Sequence, residues 1–308
     1  MSTLRALGLQ TVAGLVVWLV VVAVALALDS TVLELPTVLL VLGQIVIVPL
    51  GLGLLHFRPG LGAALVRGAR FLFRVGAVAV IVSLTLPRGE LAAAVAALYL
   101  LPALMVGAAS VIHAIGGLRD GATWQAPTLA RIAAGGFLAV GALFYLLHRQ
   151  GIAVGGFPDH IVQLTAIHFH FTGFGLMLMA GSLAPRAGAM GTASVLLLLG
   201  GMVVTPIGFI GSPALQAIGA ILVAAALLIV AAGTLGVVRS LQTGSKRLLV
   251  VSCASALLAA GMAALYATGE ALGSPPFSVE AMARVHGTVA AIGVVFCGLV
   301  AWRLAEER

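Results

Sequence analysis

The sequence predicts an all-α, polytopic transmembrane helical bundle of about ten spans, with the N-terminus and the C-terminus both cytoplasmic. Three observations predict it. Of 308 residues, 62% are hydrophobic and only 8% charged, against roughly 25% charged in an ordinary soluble domain, so too few charges exist to cover a water-facing exterior. The chain divides into apolar runs of about 20 residues, the helix length that crosses a ~30 Å hydrocarbon core. Basic residues gather on alternate connections between those runs, as cytoplasmic loops require.

Taken in order, the runs lie near 8–28, 36–55, 70–87, 91–117, 127–148, 161–183, 189–210, 213–237, 247–268 and 281–302. The first follows Arg5 and ends in Ala25-Leu26-Ala27, like a secretory leader. Its apolar stretch exceeds a leader's core, so it reads as an uncleaved span. With the N-terminus inside, 13 basic residues fall on the cytoplasmic side, from Arg5, Arg58, Arg67, Arg70 and Arg74 to Arg303 and Arg308; the outer side receives Arg88, Arg149 and Arg284. Six of nine acidic residues fall outside: Asp29, Glu34, Glu90, Asp159, Glu270 and Glu280.

Every connection is short, so residues 1–308 read as a single integral membrane domain. The longest linkers run from His56 to Arg70, from Arg149 to His160 and from Thr268 to Glu280, the last holding Gly273-Ser274-Pro275-Pro276, which suits a turn. The 39 glycines, with many alanines, predict closely packed helices. Pro206, after Thr205, is expected to break the seventh run near its end.

The net charge of +7 does not point to nucleic acid, because the basic residues stand singly between apolar runs. The expected surroundings are a lipid bilayer, with a small molecule or ion as ligand and the oligomeric state open. An Arg-to-Lys ratio of 15 to 1 hints at a GC-rich bacterial genome and a multi-pass protein of the bacterial plasma membrane. Cys253 and Cys297 sit in apolar runs without metal-ligand spacing and read as packing residues. No phosphate-binding loop, catalytic triad or HExxH motif is present, so the chain reads more as a non-enzyme than an enzyme.

The most informative stretch is Thr165-Ala166-Ile167-His168-Phe169-His170-Phe171-Thr172-Gly173-Phe174-Gly175, in the sixth run. Imidazoles inside a membrane helix are costly unless partnered and are functional candidates by default. Residues two apart on an α-helix point to opposite faces. His168 is therefore expected to share a face with Thr165 and Thr172, and His170 with Gln163 and Phe174. One metal ion cannot readily take both imidazoles. In the tenth run His286 follows Arg284 at a comparable depth, so an outward-facing polar cavity in the outer half of the bundle is the expectation. His148 and His160 read as solvated rim residues, His56 and His113 as caps or anchors at cytoplasmic helix ends, and Tyr145, Trp18, Trp124 and Trp302 as an interfacial aromatic belt.

His168-Phe169-His170 resembles, over about ten residues, the two-haem ligand helix of haem–copper oxidase subunit I. That resemblance implies histidines serving different haems from opposite faces, but the copper-site His-His pair is missing. Over most of the chain the sequence resembles the YndJ-like family of bacterial membrane proteins. The likeness rests on Val48-Pro49-Leu50-Gly51-Leu52, Leu164-Thr165-Ala166-Ile167-His168-Phe169-His170-Phe171 and Arg284-Val285-His286-Gly287-Thr288. It implies a polytopic, transporter-like protein without an established substrate.

Three functional readings follow. The leading one is a transporter-like permease with a substrate or ion site at His168, His170, His286, Arg284, Gln163, Thr165 and Thr172. The second is a haem- or transition-metal-binding membrane protein, an electron carrier or oxidoreductase, with His168, His170 and His286 as candidate ligands. The third is a structural or assembly factor.

Overall fold

A computed structural model describes residues 7–28, 34–121, 123–237 and 243–306. The described residues are 88% helix, with no strand among them. Arg5, Asp29, Arg239 and Arg308, which enter the charge asymmetry, lie outside the described residues.

The helices are α1 (Leu9–Leu28), α2 (Leu35–Leu52), α3 (Leu61–Thr85), α4 (Glu90–Arg119) and α5 (Ala126–Gln150), followed by a helical stretch Asp159–Gly211. Beyond it come α8 (Pro213–Val237), α9 (Thr243–Ala271) and α10 (Val279–Glu306). The long stretch is two helices, α6 (159–187) and α7 (189–211), because Gly188 at φ 54° and ψ −124° leaves the helical region. A Cβ on Gly191 would lie 2.5 Å from Ala184 Cα, so the chain doubles back there. In an unbroken helix those residues would be separated by about 10 Å of rise. Only glycine adopts that backbone without strain.

Among the described residues eight helical stretches, counting Asp159–Gly211 as one, are long and apolar enough to cross a membrane. Helix α3 stands outside that set and carries Arg67, Arg70 and Arg74 within its first 14 residues. It also begins at Leu61, where the sequence suggests a linker reaching Arg70. Glycine decides the start: Gly60 at φ 141° immediately precedes the helix and Arg70 donates to Leu52 O, so the arginine is accommodated within a helix. Pro206 does not break α7, which continues to Gly211; Thr205 Oγ1 bonds Gly201 O at 2.8 Å within the same stretch.

The chain forms two compact units, one of residues 1–124 and 131–175, the other of 125–130 and 176–308. In the first unit α2 is the interior helix: 83% of its apolar window is buried, against 11% for α1. Both helices are apolar all round, so their sequences alone do not distinguish the lipid-facing one from the central one. In the second unit glycines set the spacing. A Cβ at Gly219 would come 2.5 Å from Thr205 N, and one at Gly208 would come 2.1 Å from Gln216 N, so α7 and α8 touch backbone to backbone.

Among the described residues three helices contain π-helical turns, whose i→i+5 bonding widens the backbone and often marks functional sites. They are Gly43–Ile47 in α2, Phe169–Leu176 in α6, and Met282–Gly287 with Val289–Phe296 in α10.

Candidate functional site

The first unit is organised around His170. Its side chain is 0% exposed. Nδ1–H donates to Ala166 O at 2.7 Å, one helical turn back, which leaves Nε2 as an acceptor. Tyr99 Oη–H, from α4, donates to that nitrogen at 3.0 Å, with the two rings stacked at 5.8 Å. The two bonds together define a neutral imidazole protonated on Nδ1. Glycine lets the neighbouring helices close on it. A Cβ on Gly43 of α2 would lie 3.1 Å from His170 Cβ, and one on Gly141 of α5 would lie 2.9 Å from Nδ1. Four helices thus converge on one imidazole.

From Tyr99 the polar interior continues outward. Tyr145 of α5 meets Tyr99 edge to face at 6.3 Å and donates its hydroxyl to Val80 O at 3.2 Å. One turn on, Arg149 is 5% exposed, and its Nη2 donates to Ser83 O and Leu86 O, both at 2.7 Å. Its Nε donates to Ser83 Oγ at 3.2 Å, and that hydroxyl donates to Ala92 O at 2.9 Å. The guanidinium therefore caps the C-terminal carbonyls of α3, where the helix dipole favours a cation. Beyond it His148 Nδ1 donates to Asp159 Oδ1 at 2.9 Å, and Arg88 pairs with the other carboxylate oxygen.

These positions correct several expectations. His148 is 2% exposed, held in by its bond to Asp159, whereas His160 is exposed as a rim residue should be. Tyr145 and Trp302 are fully buried, so neither belongs to an interfacial belt. In the second unit the Arg186 guanidinium lies 5.2 Å over the buried Trp302 ring. Trp18 donates to Val38 O at 2.9 Å, joining α1 to α2.

Of the residues proposed as one site, the chain draws Gln163 to Thr37 of α2, where Nε2 donates to Oγ1 at 2.9 Å, seven residues before His170 on the same buried face. His168 goes the other way: it is exposed, with Nδ1 donating to Leu164 O at 2.8 Å. Thr165 bonds its own helix at Ile161 O, and Thr172 is half-buried within the π turns. The two histidines therefore occupy opposite environments, as their spacing implied. Arg284 and His286 belong to the second unit, where Arg284 is exposed and His286 Nδ1 donates to Ala259 O at 3.0 Å. Among the described residues, no group of three or more His, Cys, Asp or Glu stands close enough to hold a metal ion.

Tyr99, Tyr145, Ser83 and Arg149 are absent from the sequence-derived site. A signal existed for two of them: the chain has three tyrosines, and both Tyr99 and Tyr145 interrupt long apolar runs.

The model of the family described as YndJ-like protein matches residues 38–294, most of the chain. The chain belongs to the YndJ-like family. Neither a curated protein nor a solved structure matches it. Within this YndJ-like chain each of the three motifs quoted for the resemblance adjoins or contains π-helical turns: residues 48–52 follow Gly43–Ile47, residues 164–171 run into Phe169–Leu176, and residues 284–288 overlap Met282–Gly287.

Proposed function

We propose that this YndJ-like protein is a ten-span, transporter-like membrane protein, both ends cytoplasmic, that passes protons through the first unit by way of Tyr99 and His170. The observation that carries the reading is the run of polar side chains that starts at the half-exposed Asp159 and continues through the buried His148, Arg149, Ser83 and Tyr145 to the Tyr99–His170 hydrogen bond. Asp159 and His170 are 11 residues apart on α6, roughly 16 Å of helical rise, so the run reaches the middle of a hydrocarbon layer. Buried polar groups at such depth are expensive and tend to be kept for function. His170 can take a proton on Nε2 when Tyr99 turns its hydroxyl away, and Nδ1–H then stays on Ala166 O. Arg149 spends its charge on carbonyls and sets the first unit's geometry. His168, on the exposed face, and His286 with Arg284, in the second unit, are proposed to modulate the path without lining it.

The test is proton flux in proteoliposomes, read from a trapped pH-sensitive dye under a potassium diffusion potential. Wild-type protein should conduct above empty vesicles, and Tyr99→Phe and His170→Asn should each cut the rate at least tenfold. Wild-type flux in both variants, or none in the native protein, would overturn the proposal.

A structural role is the second reading, favoured by the completeness of the hydrogen bonding at His170 and Arg149. It predicts that the same substitutions lower thermal stability and leave every flux untouched.

A further inference from the structure

Gln44 lies one residue past Gly43, inside the π turns of α2, and is 1% exposed. Both its side-chain polar atoms, Nε2 and Oε1, are without a hydrogen-bond partner. Its backbone carbonyl has lost its helical donors as well. The α-helical donor, Val48 N–H, reaches back to Gly43 O instead. The π-helical donor would be residue 49, which is Pro49 and has no N–H. Two side-chain polar atoms of one buried residue thus lack partners beside a carbonyl without its α- and π-helical donors, where one such group ordinarily demands an explanation.

The register between α2 and α6 fixes where this demand sits. Thr37 accepts from Gln163, and Gly43 packs on His170, so the two helices run parallel with corresponding residues side by side. Gln44 follows Thr37 by seven residues and His170 follows Gln163 by seven, a two-turn step on each helix. The unsatisfied amide therefore stands at the level of the imidazole. Tyr99 Oη, having donated its hydrogen to Nε2, still has lone pairs at that level.

The species this arrangement requires must accept from Nε2–H and donate to Oε1 and the Gln44 carbonyl. It must be small, since Gly43 and Gly141 already press against His170. Water meets all three demands, and π turns are a recognised place for it to enter a helical ladder. We propose that the π-widened turn of α2 holds bound water on Gln44, and that this water extends the Tyr99–His170 pair toward α2. The proposal deepens the proton-path reading by naming the mobile carrier at its inner end, and its last clause rests on that reading.

Solid-state NMR of the full chain in liposomes, with glutamine side chains labelled with ¹⁵N, tests the water directly. The Gln44 amide should show a magnetisation-transfer cross-peak to water, assigned by its loss in Gln44→Leu. Should that variant fail to fold, Gln44→Asn removes the same signal while keeping an amide. A Gln44 resonance without a water cross-peak would overturn the proposal whatever the flux. In proteoliposomes Gln44→Leu should slow proton flux at least tenfold. A cross-peak with unchanged flux would overturn the carrier role while leaving the water in place. Flux absent from the wild type as well would instead remove the proton-path reading.

Discussion

The two units are built from the same apolar alphabet but are held differently. In the first, helices converge on polar groups: His170 takes Tyr99, Gln163 takes Thr37, and Arg149 closes the end of α3. In the second, helices α7 and α8 meet through glycines against backbone, as at Gly208 and Gly219, and the polar contacts are separate pairs, such as Ser252 Oγ to Val294 O, His286 Nδ1 to Ala259 O and Gln216 Nε2 to Glu270. The glycine contacts work because lipid tails give helices no hydrophobic drive to associate, leaving close approach and dispersion to do it. Hydrogen-bonded convergence is a more demanding solution, since each partner left alone in a dry interior is destabilising. The difference places candidate chemistry in the first unit.

That contrast can be broken at its strongest point by Gly208→Val. Its Cβ would meet Gln216 N at 2.1 Å, where only backbone could yield. The variant should lose on the order of 4 kcal/mol or more and fail to accumulate as folded protein in membranes. Gly116→Ala, where an added Cβ meets nothing, should be neutral or stabilising by up to about 1 kcal/mol. Equal behaviour of the two would remove the argument from glycine contacts.

A smaller effect is expected at Arg149→Met, which keeps the apolar stem but strips the donors from Ser83 O and Leu86 O. Denaturant titration in mixed micelles should show a loss of about 2–3 kcal/mol. A stability equal to wild type would mean that those carbonyls find other donors at no cost. Tyr99→Phe should cost about 1–2 kcal/mol by orphaning the His170 acceptor. It should also shift the His170 ¹⁵Nε2 resonance, and an unmoved resonance would contradict the assigned tautomer. At the low end, Arg58→Ala removes an ion pair to Asp120 in which both side chains are mostly exposed, so its melting temperature should stay within the change that about 0.5 kcal/mol produces.

Helix class and membrane-like character were readable in the sequence because both are summed properties: few charges and apolar runs of the right length survive any local misreading. The segment near 70–87 was misplaced at its start, since three arginines hide a helix that begins at Leu61. The sixth-run histidines were correctly separated by helical geometry, and His170 proved the buried one. Gln44 and Tyr99 carry no such spacing signal, because a lone polar residue in an apolar run looks the same whether it faces a ligand, a partner or a neighbouring carbonyl.

Composition and spacing by themselves determined that this YndJ-like chain is helical, apolar enough for a membrane, and carries imidazoles on opposite faces of one helix. Tertiary structure alone decided that Tyr99 is the partner of His170, that Arg149 faces inward, and that α2 lies inside. The reason is physical: within a helix each backbone bond is local and periodic, so sequence distance specifies it. Which of several equally apolar helices becomes the centre depends on close contacts between residues more than a hundred positions apart, such as Thr37 and Gln163.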